Sequence, residues 1–288
     1  MQSSSKVQGA GGQKILVTGA TGYVGGRLLR ALEDRGLQVR CLARKPANLS
    51  CRVAAETEVV EGDVVSGAGL DNIVRLTATA MEAGAAGVMV APQPGLATED
   101  GVTGYFSRLC AALGDDVPMV FQDYPQATGV HVSVATILKL TRELPQIVML
   151  KHEDCPGLAK LSAMRDSGTP ISILCGNGGL YLPMELARGA DGAMTGFAYP
   201  EMLVAVVTAH KAGDPDRAED LYDAYLPLIR HEQQPGPGLA IRKEVLRRRG
   251  VIATARTRAP GPSLTPTDHD ELTRLIARVE RRLSEIDR

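Results

Sequence analysis

The chain has no tryptophan and only three phenylalanines, and aromatic residues make up 3% of its 288 positions. Stacking platforms for nucleic-acid bases are therefore scarce, and the core must be built from Val, Leu, Ile and Ala. An excess of one charge is also missing: 32 Lys and Arg face 33 Asp and Glu, a net charge of −1. That balance gives no bulk attraction to nucleic acid or to a membrane surface. No apolar run is long enough to span a bilayer, and nothing resembles a secretory signal. The five cysteines, Cys41, Cys51, Cys110, Cys155 and Cys175, are widely spaced with no C-x-x-C pair. They read as buried small hydrophobes in a reducing cytoplasm, and the expected partner is a small molecule.

What the sequence does have is a near-continuous alternation of short apolar runs with amphipathic stretches, the pattern of repeated βα units around parallel strands. Eight strands are expected, in "KILVTG", "QVRCLA", "TEVVEGDV", "AGVMVAP", "PMVFQDYP", "QIVMLKHE", "ISILCGN" and "GAMTGFA". Helices are predicted over 23–35, weakly near 46–55, then over 69–83, 99–113, 132–143, 156–166 and 180–188. Four more follow the eighth strand, near 200–212, 215–233, 238–248 and 268–286. Eight such units predict a (β/α)8 barrel with a C-terminal helical extension. Residues 1–13 read as a polar, Gly/Ser-rich tail.

Gly19, Gly22 and Gly25 form G-x-x-G-x-x-G directly after a strand and at the mouth of a helix. There they let the backbone turn tightly and expose helix N-terminal amides to an anion. The stretch 14–64 resembles the start of the atypical, extended short-chain dehydrogenase/reductase family, through Thr18 to Gly25, Arg44, and Gly62 with Asp63. The resemblance implies NADP, bound by Gly19, Thr21, Gly22, Tyr23, Val24, Gly25, Arg44 and Asp63. It ends near Val64, and no Tyr-x-x-x-Lys pair occurs anywhere in the chain, so the proton-transfer residues of that family are missing. A turn that serves only helix packing is the alternative reading of the glycines.

A larger likeness begins near Glu58. The stretches "AGAAGVMVAPQPG", "VPMVFQDYPQATG", "LPQIVMLKHEDCPGLAKL" and "ISILCGNGGLYLPMELARGADGAMTGFA" resemble the dihydrodipicolinate synthase and N-acetylneuraminate lyase family of class I aldolases. These are (β/α)8 barrels that act on pyruvate and other 2-keto acids without a cofactor and form homo-oligomers. Lys151 ends the apolar strand "IVMLK", and alternation sets it on one face with Ile147 and Met149. An amine at the C-terminal end of a barrel strand, shielded from water, is placed to attack a ketone. The family's Schiff-base lysine falls on Lys151.

The family's Tyr-Asn-x-Pro-x-x-Thr-Gly reads Gln122-Asp123-Tyr124-Pro125-Gln126-Ala127-Thr128-Gly129 here. Gln122 replaces the proton-relaying tyrosine and is expected to orient substrate, because an amide is no acid or base near neutral pH. Tyr124, or a water, is expected to relay the proton. Thr128, Gly176 and Thr195 are implied as substrate-binding. Ala127 replaces the arginine that reads the second substrate of the lysine-biosynthetic enzymes, and "CLARKPAN" stands where the family has Gly-Thr-Thr-Gly-Glu. His152, Glu153, Asp154 and Cys155 are consecutive, so alternation argues against their converging on a metal.

The domain reading is a tail at 1–13, a Rossmann-like βαβαβ segment at 14–66 that supplies the first three barrel strands, strands four to eight with their helices at 67–199, and C-terminal helices at 200–288. The expected function is a 2-keto-acid lyase. An NADP-binding reductase or sensor, and a hybrid chain that folds without activity, stay open.

Overall fold

The structure is a computed structural model that describes residues 15–18, 20–21, 23–43, 45–61 and 71–286. The chain divides into two units, Met1–Ala86 with Gln93–Val117, and Gly87–Pro92 with Pro118–Arg288. All eight expected strands form, in two parallel sheets whose strands follow chain order.

The first unit holds β1 (Ile15–Thr18), α1 (Tyr23–Glu33), β2 (Val39–Ala43), β3 (Glu58–Glu61), α2 (Asp71–Glu82) and, beyond an excursion into the second unit, α3 (Glu99–Leu113). β2 lies between β1 and β3, with Cys41 opposite Val17 on one side and Val59 on the other. Val39, Cys41 and Ala43 are buried while Arg40 is exposed, the period-2 pattern of a sheet with one dry face. Val17, Leu29, Leu32 and Leu49 complete that core. The weak helix expected near 46–55 reduces to a single 3-10 turn, Pro46–Asn48. Pro, Asn and Ser in its first turn disfavour propagation. Thr98 caps α3 by accepting a hydrogen bond from the Gly101 amide.

The second unit holds β4 (Val88–Val90), β5 (Met119–Asp123), α4 (Pro125–Thr128), α5 (Val134–Glu143), β6 (Ile147–His152), α6 (Leu158–Asp166), β7 (Ser172–Cys175), a 3-10 turn (Asn177–Gly179), α7 (Leu182–Ala187) and β8 (Gly192–Ala193). Then come α8 (Pro200–Lys211), α9 (Pro215–Glu232), α10 (Gly238–Arg248) and α11 (Pro266–Ile286). Several of these helices begin at proline, whose missing N–H costs nothing in the first turn. Met119, Phe121, Leu150, Ile173 and Cys175 are buried on one side of the sheet. Burying a side chain the size of Phe121 stabilises by roughly 2 kcal/mol. The opposite side carries Gln122 and Lys151, which sit at paired positions of β5 and β6.

Candidate active site

Lys151 is the penultimate residue of β6, and its side chain is 13% exposed. Strand alternation continues past the end of β6, because the Glu153 amide donates to the Asp123 carbonyl at 2.9 Å. Glu153 therefore faces the same way as Lys151, with its carboxylate Oε2 3.3 Å from the Lys151 Nζ. Gln122 donates its amide Nε2 to the same Oε2 at 2.6 Å. A carboxylate, an amine and an amide thus meet at the C-terminal ends of two adjacent strands.

The other carboxylate oxygen, Oε1, accepts the backbone N–H of Asn177 at 3.3 Å, and the Asn177 side-chain Nδ2 donates to the Glu153 carbonyl at 2.9 Å. Asn177 has φ 48°, the one non-glycine residue with positive φ among the described residues. A β-carbon placed on Gly176 would run into the Cγ, Cδ and Oε1 of Glu153, so only glycine leaves the carboxylate its place. The next glycine is constrained from elsewhere: Gly178, at φ 67°, donates its N–H to the Thr195 Oγ1 at 2.6 Å and lies against the side chain of Gln233. Gln233 caps the C-terminal end of α9. Next to it the buried Glu232 accepts from the Ala198 amide at 3.2 Å and from the Arg242 Nε at 2.5 Å. Burial pushes the Glu232 carboxyl up, opposed by the hydrogen bond from Arg242.

A second polar cluster lies on the opposite side of the same strands. Asp123 and His152 are paired across β5 and β6 and are both buried. Lys160 of α6 sets its Nζ 2.6 Å from Asp123 Oδ2 and 3.1 Å from Asp154 Oδ2. His152 Nε2 lies 3.1 Å from the Gly157 carbonyl, which can only accept, so this nitrogen carries the proton. The Cys175 thiol is held protonated, mainly by burial, and makes no nucleophile.

The remaining expected residues are placed as follows. Tyr124 lies beyond β5, at the N-cap of α4, rather than on a continuing strand face. The turn uses its carbonyl, which accepts from the amides of Ala127 and Thr128 and from the Thr128 hydroxyl. That hydroxyl also accepts from the Val130 amide. Thr21 is exposed in the turn before α1, and Tyr23, Val24 and Gly25 begin that helix. Gly19, Gly22, Arg44 and Asp63 lie outside the described residues. The residues missed by sequence reasoning are Glu153, which shares strand parity with Lys151, and Asn177, for which no local pattern speaks. Among the described residues, no group of three or more His, Cys, Asp or Glu is arranged to hold a metal ion, and no helix is long and apolar enough to cross a membrane.

Residues 53–280 match the Dihydrodipicolinate synthetase family. The chain belongs to that family. Among its relatives, the L-2-keto-3-deoxyarabonate dehydratase of Azospirillum brasilense is 34% identical over 70% of the chain, which spans 66% of the relative's length. The 4-hydroxy-tetrahydrodipicolinate synthase of Bifidobacterium longum is 30% identical over 76% of the chain and 73% of its own length. Among solved structures, a dihydrodipicolinate synthase from Rhodopseudomonas palustris shares 42% identity with a TM-score of 0.71, covering 88% of this chain and 89% of that one. The 4-hydroxy-tetrahydrodipicolinate synthase of Methylacidiphilum fumariolicum superposes with a TM-score of 0.67 at 20% identity, which speaks for the fold alone. These likenesses bear out the fold class, a (β/α)8 barrel with C-terminal helices, and the expectation of a lyase of the dihydrodipicolinate synthetase family. Lyases of this family need no cofactor.

Proposed function

We propose that the chain is a Schiff-base lyase that eliminates water from a 2-keto-3-deoxy sugar acid. The observation that carries the reading is the carboxylate of Glu153, 3.3 Å from the Lys151 amine and hydrogen-bonded to Gln122, the residue in place of the family's tyrosine. An amide there cannot move protons, but a carboxylate can. The Lys151 amine attacks C2 of the keto acid, and loss of water gives an iminium. Glu153 takes a proton from C3, forming the enamine. The enamine electron pair expels the C4 hydroxyl, which leaves as water with the proton that Glu153 holds. Hydrolysis of the iminium releases the dehydrated keto acid and restores Lys151. Dehydration rather than aldol condensation is favoured by the 34% identity to the arabonate dehydratase and by Ala127 at the position of the second-substrate arginine. A homo-oligomer is part of the same reading. The test is borohydride reduction in the presence of pyruvate: a mass adduct on Lys151, absent in Lys151→Ala, is expected, and an adduct that survives that substitution refutes the assignment.

A second ligand is favoured by one observation in the first unit. A cavity of about 230 Å³ there is floored by Leu29 and Leu49 and rimmed by Thr21, Arg27, Arg30 and Arg52. Guanidinium groups suit phosphate, so the NADP reading of the glycine-rich turn keeps a physical basis, as a ligand outside the lyase chemistry. Titration with NADPH is expected to change its fluorescence, and to do so less in Arg30→Glu with Arg52→Glu. Equal binding by that double variant removes the reading.

A further inference from the structure

We infer that Asn177 is a positioning residue whose side-chain amide holds Glu153 in line with Lys151. The inference rests on the Schiff-base reading of the same site. Glu153 stands just past the end of its strand, where the ladder gives it one backbone bond, from its own N–H to Asp123. Its carbonyl lies outside the ladder and is held by side-chain amides, by Asn177 and by Gln126, which donates to it at 2.9 Å when its own amide is turned to satisfy both ends. The Asn177 Nδ2 bond to that carbonyl, at 2.9 Å, fixes the peptide, and the Asn177 N–H to Oε1, at 3.3 Å, fixes the carboxylate. One residue therefore grips Glu153 at both ends.

The conformation needed for this grip is the left-handed one, φ 48°, which L-residues other than Asn and Asp adopt reluctantly. Glycines occupy positions 176, 178 and 179 around it. A fourth glycine would satisfy the backbone as well as asparagine does, so the side chain at 177 answers a different need. The bond to Glu153 is that need.

The experiment separates proton transfer from imine formation, with pyruvate as probe. Methyl-proton exchange of pyruvate in D2O is followed by NMR, and borohydride trapping on Lys151 by mass. Asn177→Gly keeps the conformation and loses the donor. Asn177→Asp keeps the shape and also loses the donor. Both are expected to trap as the wild type does while exchanging roughly 10- to 100-fold more slowly, the effect of an ångström-scale misplacement. The pyruvate concentration for half-maximal exchange should change much less than the maximal rate. Asn177→Gly with wild-type exchange overturns the inference and leaves the Schiff-base reading standing. A wild-type protein that traps nothing on Lys151 overturns both.

Discussion

Replacing Gly176 by alanine adds one methyl group and no charge, yet it should cripple the site. Gly176 has φ −107°, outside the left-handed region. The effect comes chiefly from the new β-carbon, which would stand well inside 3.0 Å of three atoms of Glu153, against an ordinary contact of 3.4 Å. Gly176, just past β7, is pinned to β6 by its N–H to the His152 carbonyl at 2.9 Å, so the side chain of Glu153 has to give way. A retreat of about 1 Å stretches the bond from Gln122, now 2.6 Å, past hydrogen-bonding reach, and takes the carboxylate beyond 4 Å from Lys151. Misplacement on that scale costs about 10²-fold in rate, or roughly 2.7 kcal/mol of transition-state stabilisation. The assay is pyruvate proton exchange beside borohydride trapping, and Gly176→Ala should trap normally while exchanging slowly. Undiminished exchange with an unchanged melting temperature would refute the claim that Glu153 moves the proton.

Asp123→Ala should destabilise the fold by about 3 kcal/mol in denaturant unfolding, since it leaves the 10%-exposed Lys160 with Asp154 alone. A loss under 1 kcal/mol would mean that the ion pair contributes little. Glu244, buried on α10, is held down to about 2 chiefly by the hydrogen bond from Arg247, with Arg248 adding to it. A lowered carboxylate stabilises the fold above its unfolded value near 4.3 and loses that contribution as pH falls towards 2. Wild type should therefore lose about 2 kcal/mol more than Glu244→Gln between pH 5 and pH 2, measured by urea unfolding, and parallel curves would contradict this.

The barrel strands were legible because their apolar runs repeat at regular intervals, and Lys151 because Met149 and Lys151 alternate with the buried Leu150. Ile147, expected on the face of Lys151, is turned to the side of Leu150 by a register shift between the Met119–Ile147 and Val120–Met149 pairs. Glu153 shares that parity two residues on, but it stands past the apolar run and among four consecutive polar or thiol side chains, 152–155, where no pattern singles it out. Tyr124 falls inside the expected strand "PMVFQDYP", but Pro125 is pre-set for a first helical turn and makes Tyr124 its N-cap, so the strand stops at Asp123. Asn177 left no trace in the sequence, since its left-handed backbone depends on a neighbour 24 positions away. Helix ends were within about two residues wherever proline or a capping hydroxyl marked them, as at Pro200, Pro215 and Ser133.

The contacts of Gln233 and Glu232 at the end of α9 bear on how this protein could be taken apart. Gln233 lies against Gly178, and Glu232 holds the Ala198 amide in the segment that follows Thr195, the residue that receives the Gly178 N–H. The helices after β8 are thus a backstop for the glycine loop, and a shortened chain that kept every strand would keep its lysine and lose its aim. Anyone grafting this chemistry onto another barrel would have to transplant the far end of the chain as well.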